Sequence, residues 1–231
     1  MSIITTRTNS QDILEVNMKI KKIDIALLIG FVIAIVAGNF SAFANNCDDI
    51  RSSVVRLHIL ANSDSEEDQQ LKLMVRDRLL SSADEIFGNA DSIEIAEANV
   101  DANLRKIEEI SMEVIDENGS DYEVRAELTN MYFTTRVYDN ITMPAGYYDA
   151  LRITIGEAKG RNWWCVLYPP LCLPAATAEN PPNEEVGGAN THDYFTNEQS
   201  DIIEKSTEYE VKFAVVEVVE SVKNFFKGLF S

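Results

Sequence analysis

The sequence predicts an α+β fold: an antiparallel sheet of about four to five strands packed with two N-terminal helices, and an amphipathic helix closing the chain. Three observations predict it. Apolar residues recur at helical spacing between residues 66 and 117, switch to strict alternation from Tyr122, and return to helical spacing after residue 201.

Before the domain comes a leader. Residues 1–17 fit neither a signal peptide nor a core, and Met18 with Lys19, Lys21 and Lys22 makes a better-formed start, so 1–17 reads as a misannotated extension. Residues 18–44 read as a secretory signal peptide. A basic patch precedes thirteen apolar or small residues from Ile25 to Ala37, and Ala42-Phe43-Ala44 offers cleavage after Ala44. The alternative is an uncleaved anchor, for which the apolar run is short of the ~18–20 residues of a spanning helix. The remaining boundaries are a domain over 45–173, a flexible linker over 174–200 and a C-terminal helix over 201–231. The 231 residues carry 20 Lys+Arg against 38 Asp+Glu, a net charge of −18. Such a chain repels phosphate backbones, which excludes nucleic acid as a partner, and stays soluble.

Within the domain, Val55, Leu57 and Ile59 alternate with Arg56 and His58, the period of a half-buried strand. Asn62-Ser63-Asp64-Ser65 is a polar corner, and Ser63 with Glu66 or Ser65 with Asp68 makes a capping box for a helix. Leu71, Val75, Leu79, Ser82 and Ile86 form that helix's core stripe, and Gly88-Asn89 ends it. Ile93, Ala96, Val100, Leu104, Ile107, Ile110 and Val114 continue as one second helix to Asn118-Gly119. Tyr122, Val124, Ala126 and Leu128 then alternate with Glu123, Arg125 and Glu127 as a strand. Met131, Phe133 and Val137 suggest a second strand, and Leu151, Ile153 and Ile155 a third. Trp163 to Tyr168 reads as a fourth, closing a hairpin on the third around Gly156–Gly160. In the last segment Val211, Val215, Val218, Val219, Val222, Phe225, Phe226 and Leu229 share one helical face. That face is expected to dock on the domain's own sheet, the alternative being a membrane or a membrane-bound partner.

The candidate chemistry gathers at the corner. Arg56 and His58 share a strand face, Asn62, Ser63 and Asp64 follow at its end, and Asp68, Lys72 and Arg76 fall at i, i+4 and i+8 on one helix stripe. An enzyme would use His58 as base and Ser63 or Asp64 as nucleophile or orienter, but nothing supplies an oxyanion hole or a nucleophile elbow. A corner that only caps and braces is the bland alternative. His58 and His192 are too isolated for a metal site, and no cofactor motif is present. Asn162, Trp163 and Trp164 join the candidate contact surface. Cys165 and Cys172 are read as a disulfide across a proline turn, with two buried thiols as the alternative.

Three segments carry a resemblance: RLHILANSDSEEDQQLKLMVRD (56–77), MPAGYYDALRITIGEAKGRNWWCVLYPPLC (143–172) and YEVKFAVVEVVES (209–221). They resemble the stage II sporulation protein R family of endospore-forming Firmicutes, with Arg161 standing where the family commonly has histidine. The resemblance implies a secreted signalling protein rather than an enzyme. It would be exported into the space between forespore and mother cell, where it triggers a membrane-embedded aspartic protease that processes the sigma-E precursor. Arg56, His58, Asn62, Asp64, Asp68, Lys72, Arg76, Asn162, Trp163 and Trp164 are then the expected partner surface, with a peripheral membrane contact through the C-terminal helix. A secreted hydrolase using His58 and an envelope-associated structural protein are the competing readings.

Overall fold

The computed structural model describes residues 10–83, 86, 88, 90–138, 141–171 and 190–229. Cys172, residues 1–9 and most of the expected linker lie outside the described residues. The chain divides into two compact units, Met1–Asn45 and Asn46–Ser231.

The first unit holds most of helix α1 (Ser10–Ser52), whose Ile25, Leu27, Leu28, Phe31 and Ile33 are exposed. The helix over Lys22–Ser52 is long and apolar enough, by length and composition, to cross a membrane. A signal sequence and an anchor both meet that description. Helix geometry carries on past the thirteen-residue apolar core, which is why the run looked too short by composition alone.

The second unit starts with the last turns of α1, where Cys47 and Ile50 are buried. Strand β1 (Val55–Leu60) follows, then α2 (Glu66–Ser81), α3 (Ile93–Ala102) and α4 (Leu104–Glu117). The expected single second helix is broken at Asn103, whose side-chain amide donates to the Ile86 and Asn99 carbonyls at 2.9 Å each. A side chain able to bond its own backbone competes with the helix there. Ser65 caps α2 by accepting the Asp68 amide at 3.1 Å, and Ser92 caps α3.

The strands are β2 (Val124–Phe133), β3 (Arg136–Val137), β4 (Thr142–Met143), β5 (Gly146–Ile155) and β6 (Asn162–Tyr168). Four of them form one sheet in the order β2-β5-β1-β6, while β3 and β4 pair separately. The α+β class holds, with two corrections. The sheet is mixed, because β1 runs parallel to β5 and antiparallel to β6. The expected β5–β6 hairpin does not form, because β1 lies between them. Val55 to Ile59 are buried without exception, so β1 needs a neighbour on each side and a cover on each face.

One face carries the core: Val55, Leu57, Ile59, Leu151, Ile153 and Ile155 pack on Leu71, Val75 and Leu79 of α2, Val100 of α3 and Ile107 and Ile115 of α4. The other face presents Arg56 and His58, and the register sets Arg152 and Trp164 beside His58.

After Leu171 the description resumes with a 3-10 turn, Thr191–Asp193, then α5 (Asn197–Glu204) and α6 (Ser206–Leu229). Helical structure therefore begins inside the stretch read as linker. Thr196 and Gln199 form the capping box that composition hid. Phe213, Val216 and Glu220 of α6 are buried, while Val211, Val218 and Phe225 are 77%, 63% and 67% exposed. The apolar face expected to dock is thus the one facing outward. Both sides of the helix are apolar, and periodicity alone does not rank them.

Candidate functional site

The residues of the expected surface divide between two places. The first is the corner where β1 ends, α2 begins and the β5–β6 loop crosses. Asn62 accepts the Glu157 amide at 2.9 Å and donates to Asp68 at 2.8 Å, and its carbonyl takes the Lys159 amide at 3.0 Å. Ser63 also donates to Asp68. Burial works to raise the Asp68 pKa, but hydrogen bonds from Ser63, Asn62 and Tyr122 outweigh it and hold the carboxyl below its ordinary range. Lys72 is buried and donates to Gln69 at 2.7 Å and to the Arg161 carbonyl at 2.9 Å; desolvation, with Arg161 nearby, lowers its pKa. Asp64 accepts the Arg161 amide at 2.7 Å.

Two glycines let the loop come this close. A Cβ on Gly156, at φ +56°, would sit 2.4 Å from the Asn62 oxygen, and one on Gly160 would sit 2.1 Å from the Ser63 carbonyl. The corner therefore clamps the β5–β6 loop to the start of α2. Its outward groups are Asp64, Arg161 and Glu66 and Glu67 in the first turn of α2. Arg76 stacks over Trp163 at 5.0 Å beside the same corner.

The second place is the sheet face opposite the helices. His58 stacks flat on Trp164, with ring centroids 4.0 Å apart and planes within 4°. Arg136 lies over the Trp164 ring at 5.2 Å, and Phe133 meets it edge-on at 4.8 Å. Burial pushes the His58 pKa down to about 4. The Asn162 side chain opposes this in part, and the Arg152 charge adds to it. At neutral pH the ring is uncharged.

Arg56 is wholly buried. Its Nε donates to the Cys165 carbonyl at 3.0 Å, one terminal nitrogen donates to the Tyr138 hydroxyl, and Phe133, Tyr148 and Tyr138 surround the guanidinium at 4.4, 5.0 and 5.6 Å. Three aromatic rings offset part of the cost of burying a cation that has no carboxylate partner among the described residues. Among the described residues, Nη1 of Arg56, both nitrogens of His58 and Nε of Arg136 and of Arg152 have no hydrogen-bond partner. Arg125, Arg136 and Arg152 are on or beside this face, and Glu127, paired with Arg152 at 3.0 Å, is its carboxylate. In a chain of net charge −18 this is a concentration of positive charge around a half-exposed tryptophan.

The structure thus brings Arg56, His58, Asn162 and Trp164 together and sets Asn62, Asp64, Asp68, Lys72, Arg76 and Trp163 apart from them. Neither Ser63 nor Asp64 is a hydrogen-bond partner of His58. Arg136 and Arg152 escaped the sequence reading, because only the register of β5, β1 and β6 puts Arg152 near Trp164 and only the folding back of β3 lays Arg136 over its ring. Cys165 is disulfide-bonded and Cys47 is free. Among the described residues, no group of three or more His, Cys, Asp or Glu could hold a metal ion.

A family model described as stage II sporulation protein R matches residues 51–178. Stage II sporulation protein R of Bacillus subtilis (strain 168) is 40% identical over 124 residues, covering 54% of this chain and 55% of that protein. The chain therefore matches about half the length of this curated relative. No solved structure matches.

Proposed function

The chain belongs to the stage II sporulation protein R family, and from that premise we propose that its second unit is an exported signal for sporulation. In this reading the unit acts on a membrane-embedded aspartic protease of the mother cell and triggers processing of the sigma-E precursor. The matched region begins at Arg51, inside the compact unit that starts at Asn46, and this coincidence carries the proposal. Export through the apolar helix, with cleavage after Ala44, would leave that unit whole. The space between forespore and mother cell is the compartment this reading requires.

A ligand shifts a protease toward its active state only if it binds that state more tightly. We place the contact on the sheet face around Trp164, with Arg136, Arg152 and Asn162. Among the described residues, Nε of Arg136 and Nε of Arg152 have no hydrogen-bond partner there, although Arg152 pairs with Glu127 through Nη1. The polar groups of the corner, by contrast, are largely spent on one another. The exposed pair Asp64 and Arg161 extends the surface at the corner.

Coexpression of the full chain with the protease and the sigma-E precursor in a non-sporulating host tests both levels. Cleavage should depend on the chain. Arg152→Glu and Trp164→Ala should each reduce it at least tenfold while the protein stays folded by circular dichroism. Cleavage independent of the chain sinks the signalling reading, and normal cleavage with both variants sinks the contact surface alone. The hydrolase reading would instead need turnover by the purified chain, lost in His58→Ala.

A further inference from the structure

Helix α6 carries two apolar stripes on opposite sides. Phe213, Val216, Glu220 and Asn224 face the domain, where Asn224 accepts from the Tyr147 hydroxyl and Ser221 bonds Tyr132 at 3.1 Å. At about 100° per residue, Val211, Val215, Val218, Val222 and Phe225 centre roughly 180° away. They are exposed, as are Val219 and Phe226 beside them. A helix apolar on both sides is ordinarily covered on both.

The spacing says what kind of cover fits. From Val211 the outer stripe steps by 4, 3, 4 and 3 residues to Phe225, the heptad seam of helix packing, with β-branched Val215 and Val222 at the a positions. Two copies in parallel bring each a layer and each d layer of this seam onto itself. The flanks agree with that geometry. In a parallel pair the g position of one helix meets the e position of its partner five residues on, so Ala214 would face Val219 and Ser221 would face Phe226. Small meets large, and no like charges meet. In an antiparallel pair g faces g and e faces e, which would set Ala214 and Ser221 against each other and Val219 and Phe226 against each other, small on small and large on large. A lipid surface needs apolar width rather than this alternation, and Glu208, Glu210, Glu217 and Glu220 against Lys212, Lys223 and Lys227 give α6 no net attraction to anionic lipid.

From these observations we infer that the outer seam of α6 pairs, in parallel, with the same seam of a second copy of this chain. The domain lies on the side of the helix away from the seam, so two copies can approach without contact between their sheets.

Cysteine crosslinking of the expressed full chain tests this. Val211→Cys, Val215→Cys, Val218→Cys and Val222→Cys are made singly, with exposed Glu210→Cys off the seam as control. Cys47 is buried, and the unsubstituted chain sets the background. Under mild oxidation each seam variant should run as a dimer on a non-reducing gel, at least tenfold above Glu210→Cys. Adding Val218→Lys to Val211→Cys should abolish the dimer. Crosslinking confined to one mid-seam position means an antiparallel pair and overturns the inference, as does equal crosslinking at Glu210→Cys or none anywhere. A seam shielded from a water-soluble maleimide yet not crosslinked is covered by lipid or another protein, which also overturns it. The gel is run without the protease, so its result leaves the signalling proposal standing or falling on its own test.

Discussion

His58 shows how far one residue's environment departs from its sequence context. On a strand it reads as a half-exposed base, but stacked on Trp164 its ring is buried and its pKa falls to about 4. The unfolded chain, with histidine near 6.5, therefore takes up the proton first as the pH drops. Its contribution to stability is fully present above about pH 6.5 and declines toward pH 4, by up to about 3 kcal/mol. His58→Phe keeps a ring on Trp164 and should flatten that slope in urea titrations run at several pH values; an unchanged slope would assign it to other groups. Gly160 is the second case. A Cβ there meets the backbone carbonyl of Ser63, which has no flexible end to yield. Gly160→Ala should cost about 1–3 kcal/mol, and a loss under about 0.5 kcal/mol would mean that the loop is not clamped.

Among the elements, α2 and α6 contrast. The cap and stripe of α2 are local matters, and Ser65, Leu71, Val75 and Leu79 serve as their spacing says. Helix α6 has a stripe on each side, and the choice between them was made by the sheet it docks on. Phe213→Ala should cost about 3–5 kcal/mol and strip hydrogen-exchange protection from α6 amides. Val218→Ala, on the exposed side, should leave monomer stability within about 0.5 kcal/mol. Similar losses at both positions would contradict the docking side.

For the molecule as a whole, the second unit begins within α1 rather than at β1. Ile50 is buried, Arg51 donates to the Ala145 carbonyl at 2.8 Å, and a Cβ on Gly146 would collide with the Arg51 side chain at 2.4 Å. A chain starting at Asn45 should melt as one unit, whereas one starting at Ser53 should lose roughly 2–5 kcal/mol, the range for deleting a large buried side chain. Equal unfolding midpoints for the two would move the unit's boundary to β1.

By itself the sequence determined the N-terminal apolar segment, the α+β class, the cap and core stripe of α2, and the positions of the long strands. Each is written in the spacing of apolar residues or in a capping side chain a few positions away. Only the tertiary structure decided that β1 lies between β5 and β6, that Arg136 and Arg152 gather with His58 at Trp164, and that the outer valines of α6 face away from the sheet. Strand alternation records which residues share a face but not which strand lies alongside. Pairing partners far apart in the chain are selected by the burial of both faces of β1, a property of the assembled sheet.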